Sequence, residues 1–83
     1  MDKIIDKLQQ ENLPEGEISK FRIDLVYFLN FLQDLLNKEL EQADDLDILR
    51  FKEHLMDDYT FIELVDRRID NVRKGLEILK TLG

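Results

Sequence analysis

The sequence predicts an all-α fold: a small antiparallel helical bundle of three long or medium helices plus a short N-terminal helix. Apolar residues recur at steps of three and four along most of the chain, whereas regular alternation of apolar and polar residues never lasts long enough for a strand. The 83 residues include only three glycines and one proline, and 37% are charged, as is typical of helical domains. We expect residues 1–83 to form a single helical domain, because a chain this short supports one core.

The first helix is predicted to run from Asp2 to about Glu11. Its apolar edge consists of Ile4, Ile5 and Leu8. A turn is expected next, because Pro14 disfavours helical geometry at the residue before it and Gly16 relaxes the backbone. Pro14 is also compatible with the first position of the following helix.

The second helix is predicted to continue from this turn to about Gln42. One broad face holds seven apolar residues: Phe21, Leu25, Phe28, Leu29, Leu32, Leu35 and Leu36. A second stripe of Ile23, Tyr27 and Phe31 lies on the other side, among polar positions that include Asp24. We interpret this stripe as a partner-binding surface, since a helix that is apolar on two sides usually contacts two partners. The alternative is that the first or third helix covers it.

The third helix is predicted from about Leu46 to Met56, with Asp44 or Asp45 as its N-cap. Its apolar residues are Leu46, Ile48, Leu49, Phe51, Leu55 and Met56. An EF-hand loop is not expected at these aspartates, because apolar residues stand where calcium ligands are needed.

The fourth helix has the clearest start signal in the chain. Thr60 to Glu63 matches a capping box, and Tyr59 and Leu64 have the spacing of a hydrophobic staple. The helix should run from near Phe61 to about Thr81, with a bundle seam at Ile62, Val65, Ile69, Val72, Leu76 and Leu79. Gly75 interrupts this pattern either because a neighbouring helix approaches closely or because its cost is tolerated.

Acidic residues are concentrated between Glu39 and Asp58, where eight acids face two basic side chains in a chain of net charge −7. Such a field attracts basic surfaces and repels nucleic acid and anionic lipid. We interpret one set of these acids as a second partner-binding patch: Asp44, Asp45, Asp47, Asp57 and Asp58. The simpler alternative is that they maintain solubility.

No residue pattern predicts catalysis, a cofactor or a metal site. His54 is the only histidine, cysteine is absent, and no second imidazole is available to complete a zinc site. We expect His54 to be exposed near the end of the third helix. The basic cluster of the fourth helix should form a solvated face paired with acids of the same helix: Arg67, Arg68, Arg73 and Lys74.

These observations favour a small acidic, non-enzymatic helical interaction protein that acts by helix-mediated protein–protein binding. An inhibitor, an immunity or antitoxin-like factor, an adaptor and a chaperone all fit this description. The alternative is an acidic nucleic-acid mimic, such as a phage anti-defence protein, that blocks a DNA- or RNA-binding enzyme. We expect another protein as partner, with a homodimer possible, no direct nucleic-acid binding, no membrane insertion and a cytoplasmic location.

Overall fold

Four helices make up the structure, a computed structural model that describes residues 2–57 and 61–82. They are α1 (Asp2–Gln10), α2 (Glu15–Phe31), α3 (Asp45–Asp57) and α4 (Ile62–Leu82). No strand occurs within the described residues. The predicted all-α helical bundle is therefore confirmed, and α1, α3 and α4 begin within about one residue of their predicted starts.

The organising helix is α4, which packs against α1, α2 and α3. Its buried side chains include four members of the predicted seam: Val65, Ile69, Val72 and Leu76. Ile62 was expected in the seam but is exposed, and Ile78, outside the seam, is buried. Because α2 and α4 form the most extensive helix pair, α2 is held along much of its length by α4.

Aromatic side chains of α2 and α3 fill the part of the core between these helices. Phe28 and Phe51 meet edge to face, with ring centroids 5.2 Å apart. Phe31 also lies against Phe51, at 5.3 Å between centroids. Such packing anchors α3 to the middle and end of α2.

Gly75 of α4 faces the Leu25 side chain of α2 at close range. A Cβ atom at this position would lie 2.8 Å from Cδ2 of Leu25, a side chain with no exposed surface. This close contact explains why a glycine occupies position 75, and a merely tolerated cost in helix propensity does not.

The end of α2 differs from the prediction of one continuous helix to Gln42, which is wrong. A π-helical turn at Leu32–Leu36 closes α2, and Asn37 then adopts the left-handed conformation with φ of 52°. The N–H of Lys38 donates to the carbonyl of Leu32 at 3.1 Å, as in helix-terminating motifs. A separate 3₁₀ turn follows at Leu40–Gln42. Asn37 is the signal that predicts this end, because asparagine tolerates positive φ.

The start of α2 shows how a loop residue satisfies free N–H groups. Pro14 precedes α2, and its carbonyl accepts hydrogen bonds from the N–H groups of Glu17 and Ile18. The capping box and staple predicted for α4 depend on Tyr59 and Thr60, which lie outside the described residues.

Candidate interaction surface

An exposed apolar surface lies on the outer side of α2. Ile23, Val26 and Tyr27 are 48%, 41% and 50% exposed, and together we call them the interaction face. Ile23 and Tyr27 belong to the stripe predicted from the sequence, whereas Val26 was not included in it. Neither α1 nor α3 covers these three side chains.

Phe31, the third member of the predicted stripe, does not lie on this surface. Its side chain is only 7% exposed, because α3 covers it. The ring contacts Phe28, Phe51 and His54, with centroid distances of 6.5, 5.3 and 5.3 Å. The prediction that Phe31 is available to a partner is therefore wrong, and its role is in the core.

A buried carboxylate lies directly beneath the interaction face. Asp24 has no exposed surface, and its two oxygens accept four hydrogen bonds from α4. Arg67 donates through Nε and Nη2 at 3.1 and 2.8 Å, which is the two-pronged geometry that guanidinium groups form with carboxylates. Arg68 Nε donates at 3.2 Å and Asn71 Nδ2 at 2.7 Å. The network joins α2 to α4 through one side chain.

This network corrects the sequence-based description of the basic cluster. Arg67 and Arg68 were expected to form a solvated face paired within their own helix, but both bind Asp24 across the helix interface. The hydrogen bonds that Arg67 donates to Asp24 raise the pKa of its guanidinium above the ordinary value. A signal for the burial of Asp24 does exist in the sequence, since Phe28 and Phe31 follow it at +4 and +7 on the same side of the helix.

The network also fixes the aromatic ring of the interaction face. The guanidinium carbon of Arg68 lies 3.9 Å from the centroid of the Tyr27 ring, a cation–π contact. Because Asp24 orients Arg68, one side of the Tyr27 ring rests on a fixed surface while half of the side chain remains exposed. A ring held in this way loses little conformational freedom when another surface covers it.

The predicted acidic patch is divided by the structure. Asp47 has no exposed surface and pairs with Lys38 Nζ at 2.9 Å and with Arg50 Nη1 at 3.5 Å. Asp47 was predicted to belong to a partner-binding patch, and this prediction is wrong because the side chain is buried. Its charge is compensated within the protein.

Asp44 caps α3, as the sequence predicts. Its Oδ1 accepts a hydrogen bond from the N–H of Asp47 at 2.9 Å, and Asp47 Oδ2 accepts one from the N–H of Asp44 at 3.2 Å. This reciprocal arrangement satisfies two N–H groups at the start of the helix. The hydrogen bond from the N–H of Asp47 is the main reason why the pKa of Asp44 lies below its ordinary value.

Two of the remaining acids lie on α3, where several apolar side chains that were expected in the core are exposed. Asp45 and Asp57 are exposed on α3, and Asp58 lies outside the described residues. Half-exposed on the same helix are Leu46, Leu49 and Met56. Only Ile48, Phe51 and Leu55 of the predicted apolar set are buried, so α3 uses a narrower face than expected.

Neither a metal-binding cluster nor a membrane-spanning helix is found in the part of the chain that the structure describes. No group of three or more histidine, cysteine or acidic side chains within residues 2–57 and 61–82 is placed to hold a metal ion. His54 is exposed in the last turn of α3, as predicted, and contacts the Phe31 ring. None of the described helices combines the length and hydropathy that crossing a bilayer requires.

Comparison with known proteins adds no assignment. Family models, curated proteins and solved structures all give no match to this chain. The surface described above is therefore interpreted from its own geometry.

Proposed function

We propose that this protein is a non-enzymatic helical interaction protein, which acts by binding another protein through the interaction face of α2. Inhibitor, immunity or antitoxin-like factor, adaptor and chaperone are the roles that such a protein performs. The observation that carries the proposal is the exposed Tyr27 ring, held from below by Arg68 and Asp24. A chain without cysteine is compatible with a reducing compartment, and we place the protein in the cytoplasm.

The support comes from the chemistry of the three exposed side chains and their surroundings. Tyrosine is enriched among the residues that dominate binding energy, because it presents a large apolar area with few rotatable bonds. Ile23 and Val26 extend the apolar area beside it, and Arg22 and Asn30 line the same groove. An apolar centre with a polar edge is the usual organisation of a protein-binding surface.

The acidic nucleic-acid mimic has less support. Asp47 is buried and paired, and Asp44 is engaged as a helix cap, so two of the five acids already have structural roles. Asp45 and Asp57 are next in sequence to Leu46 and Met56, whose side chains are half-exposed. A mimic of the phosphate backbone acts through charge, and apolar neighbours of this kind are more typical of surfaces that bind proteins.

Two matched variants test the proposal in a pull-down from the source cells. Tyr27→Glu and Leu49→Glu introduce the same charge at residues that are 50% and 51% exposed, but on different helices. We expect Leu49→Glu to retain the partner that the wild type captures. Tyr27→Glu should weaken its binding by about thirtyfold, since a buried tyrosine anchor contributes about 2 kcal/mol or more.

Salt dependence separates this proposal from the mimic. Binding through the interaction face should change little between about 50 and 500 mM salt, whereas binding through carboxylates should weaken steeply. Equal capture by Tyr27→Glu and the wild type, with strong salt dependence, would favour the mimic and rule out the interaction face.

A further inference from the structure

A line of exposed side chains along α2 has the spacing of a helix-pairing seam. Its members follow one another at steps of 3, 4, 3 and 4 residues: Lys20, Ile23, Tyr27, Asn30 and Asp34. Residues with these steps lie along one side of a helix, and here the two apolar members, Ile23 and Tyr27, stand between charged residues at the two ends. Asp34 lies in the π turn that closes α2, and it is exposed.

We propose that the interaction face binds the same face of a second copy of the chain, with the two α2 helices antiparallel about a two-fold axis near Tyr27. The inference rests on the proposed function, because it names the occupant of the same surface. An isologous contact of this type requires a self-complementary surface. Two independent features of α2 meet that requirement.

The first feature is the placement of charge. Lys20 and Asp34 each lie seven residues from Tyr27, on opposite sides of it. In the antiparallel pair Lys20 of one copy therefore lies beside Asp34 of the other, and the two-fold axis forms this ion pair twice. A parallel pair would instead bring Lys20 against Lys20 and Asp34 against Asp34, so charge selects the antiparallel orientation.

The second feature is a pair of neighbouring grooves. One groove is bordered by Ile23, Val26, Tyr27 and Asn30 of α2. The next groove lies between α2 and the helices beside it, and its lining includes Asp34 of α2, His54 of α3 and Arg68 of α4. The first groove is thus formed by α2 alone, and the second lies about one turn further along the helix.

A second copy can place apolar side chains at both grooves. Tyr27 and Ile23 are about one helical turn apart, and in an antiparallel pair their order is reversed. The register that places Tyr27 of the second copy at the first groove therefore places Ile23 near the second. The same register brings Lys20 beside Asp34. Charge selects the alignment, and the apolar contacts are consistent with it.

The contact is small for a permanent dimer. From Lys20 to Asp34 the seam is about 21 Å long at 1.5 Å per residue, and it is one helix wide. Stable interfaces bury about 800 Å² on each partner, which is more than one short helix face supplies. We therefore expect a reversible dimer whose population rises with protein concentration.

Sedimentation equilibrium of the full chain, from about 10 µM to 1 mM, tests the inference. The mass should rise from the monomer value of 10.0 kDa toward twice that value. Lys20→Asp and Asp34→Lys should each weaken dimerisation by about tenfold, because each places like charges together twice. The double variant Lys20→Asp with Asp34→Lys restores both pairs and should dimerise like the wild type.

Net charge alone predicts a different result. Lys20→Asp makes the acidic chain more negative and Asp34→Lys makes it less negative, so general repulsion would weaken one dimer and strengthen the other. Lys3→Asp, at an exposed position on α1, changes the net charge as Lys20→Asp does and should leave dimerisation unchanged. Far-UV circular dichroism of each variant checks that the helices are retained.

The outcomes separate this inference from the proposed function. A wild-type chain that stays monomeric at 1 mM, or a dimer that neither charge reversal weakens, overturns the inference. A captured protein that depends on Tyr27 would then still support the proposed function. Conversely, the chain could form a dimer with the predicted charge dependence while the pull-down finds no other partner that depends on Tyr27. That result would support the inference and would rule out the binding of a different protein through the interaction face.

Discussion

Replacing Asp24 by asparagine removes the charge of the carboxylate without leaving a cavity. Four hydrogen bonds from three α4 side chains converge on its two oxygens. The asparagine amide retains one acceptor oxygen. Its NH₂ group replaces the second oxygen and, being a donor, cannot accept the hydrogen bonds that the α4 side chains donate there. Two guanidinium groups then lose their counter-charge at the interface of α2 and α4.

The expected loss follows from how far each arginine is exposed. Breaking a fully buried ion pair costs about 3–5 kcal/mol. The Arg67 side chain is 36% exposed and regains water readily, whereas Arg68 is only 12% exposed. We therefore expect the lower value, about 3 kcal/mol, which is a large part of the stability typical of a domain this size.

Urea unfolding followed by far-UV circular dichroism measures this loss. With a denaturant dependence of about 1 kcal/mol per molar urea, the midpoint should fall by roughly 3 M. Asp70→Asn, at an exposed position on α4, is the matched control and should change stability by less than about 0.5 kcal/mol. If Asp24→Asn is as stable as this control, the network does not hold α2 to α4.

Two further predictions concern the bundle. Gly75→Ala should lower stability by about 1 kcal/mol in urea unfolding, because crowding against the buried Leu25 outweighs the gain in helix propensity, and a more stable variant would contradict the close approach. Asp44→Asn should lower stability at pH 7, because the pKa of Asp44 lies below its ordinary 3.8 in the folded protein. The stabilisation by the charged cap is complete above 3.8 and is lost as the pH falls through the lowered pKa, so the difference from the wild type should shrink in acid. Urea midpoints measured from pH 7 downwards into this acidic range test this, and a difference that does not change with pH would refute it.

The predictable parts of the fold are those encoded by neighbouring residues. Helix starts follow from local signals, such as Pro14 before α2 and Asp44 before α3. The end of α2 was missed because apolar periodicity continues past Asn37, although the backbone turns there. Apolar periodicity indicates which residues can share a helix face, but it does not indicate where the helix ends.

The interaction face was only partly predictable for a related reason. Ile23 and Tyr27 stand out as apolar residues on the polar side of a helix, and both are exposed in the structure. Phe31 has the same spacing, but it lies at the height of Phe51 and is covered. Its burial depends on where α3 packs, which helical spacing does not specify.

Local sequence is enough to specify that this chain forms helices, where most of them begin and that α2 carries apolar side chains on two sides. Those properties depend on residues within a few turns of one another. Which charges are buried, and which apolar residues remain exposed, depends instead on how the helices pack. Asp24 and Arg67 are 43 residues apart, so their pairing, and with it the fixed position of the Tyr27 ring, exists only once α2 and α4 have packed together.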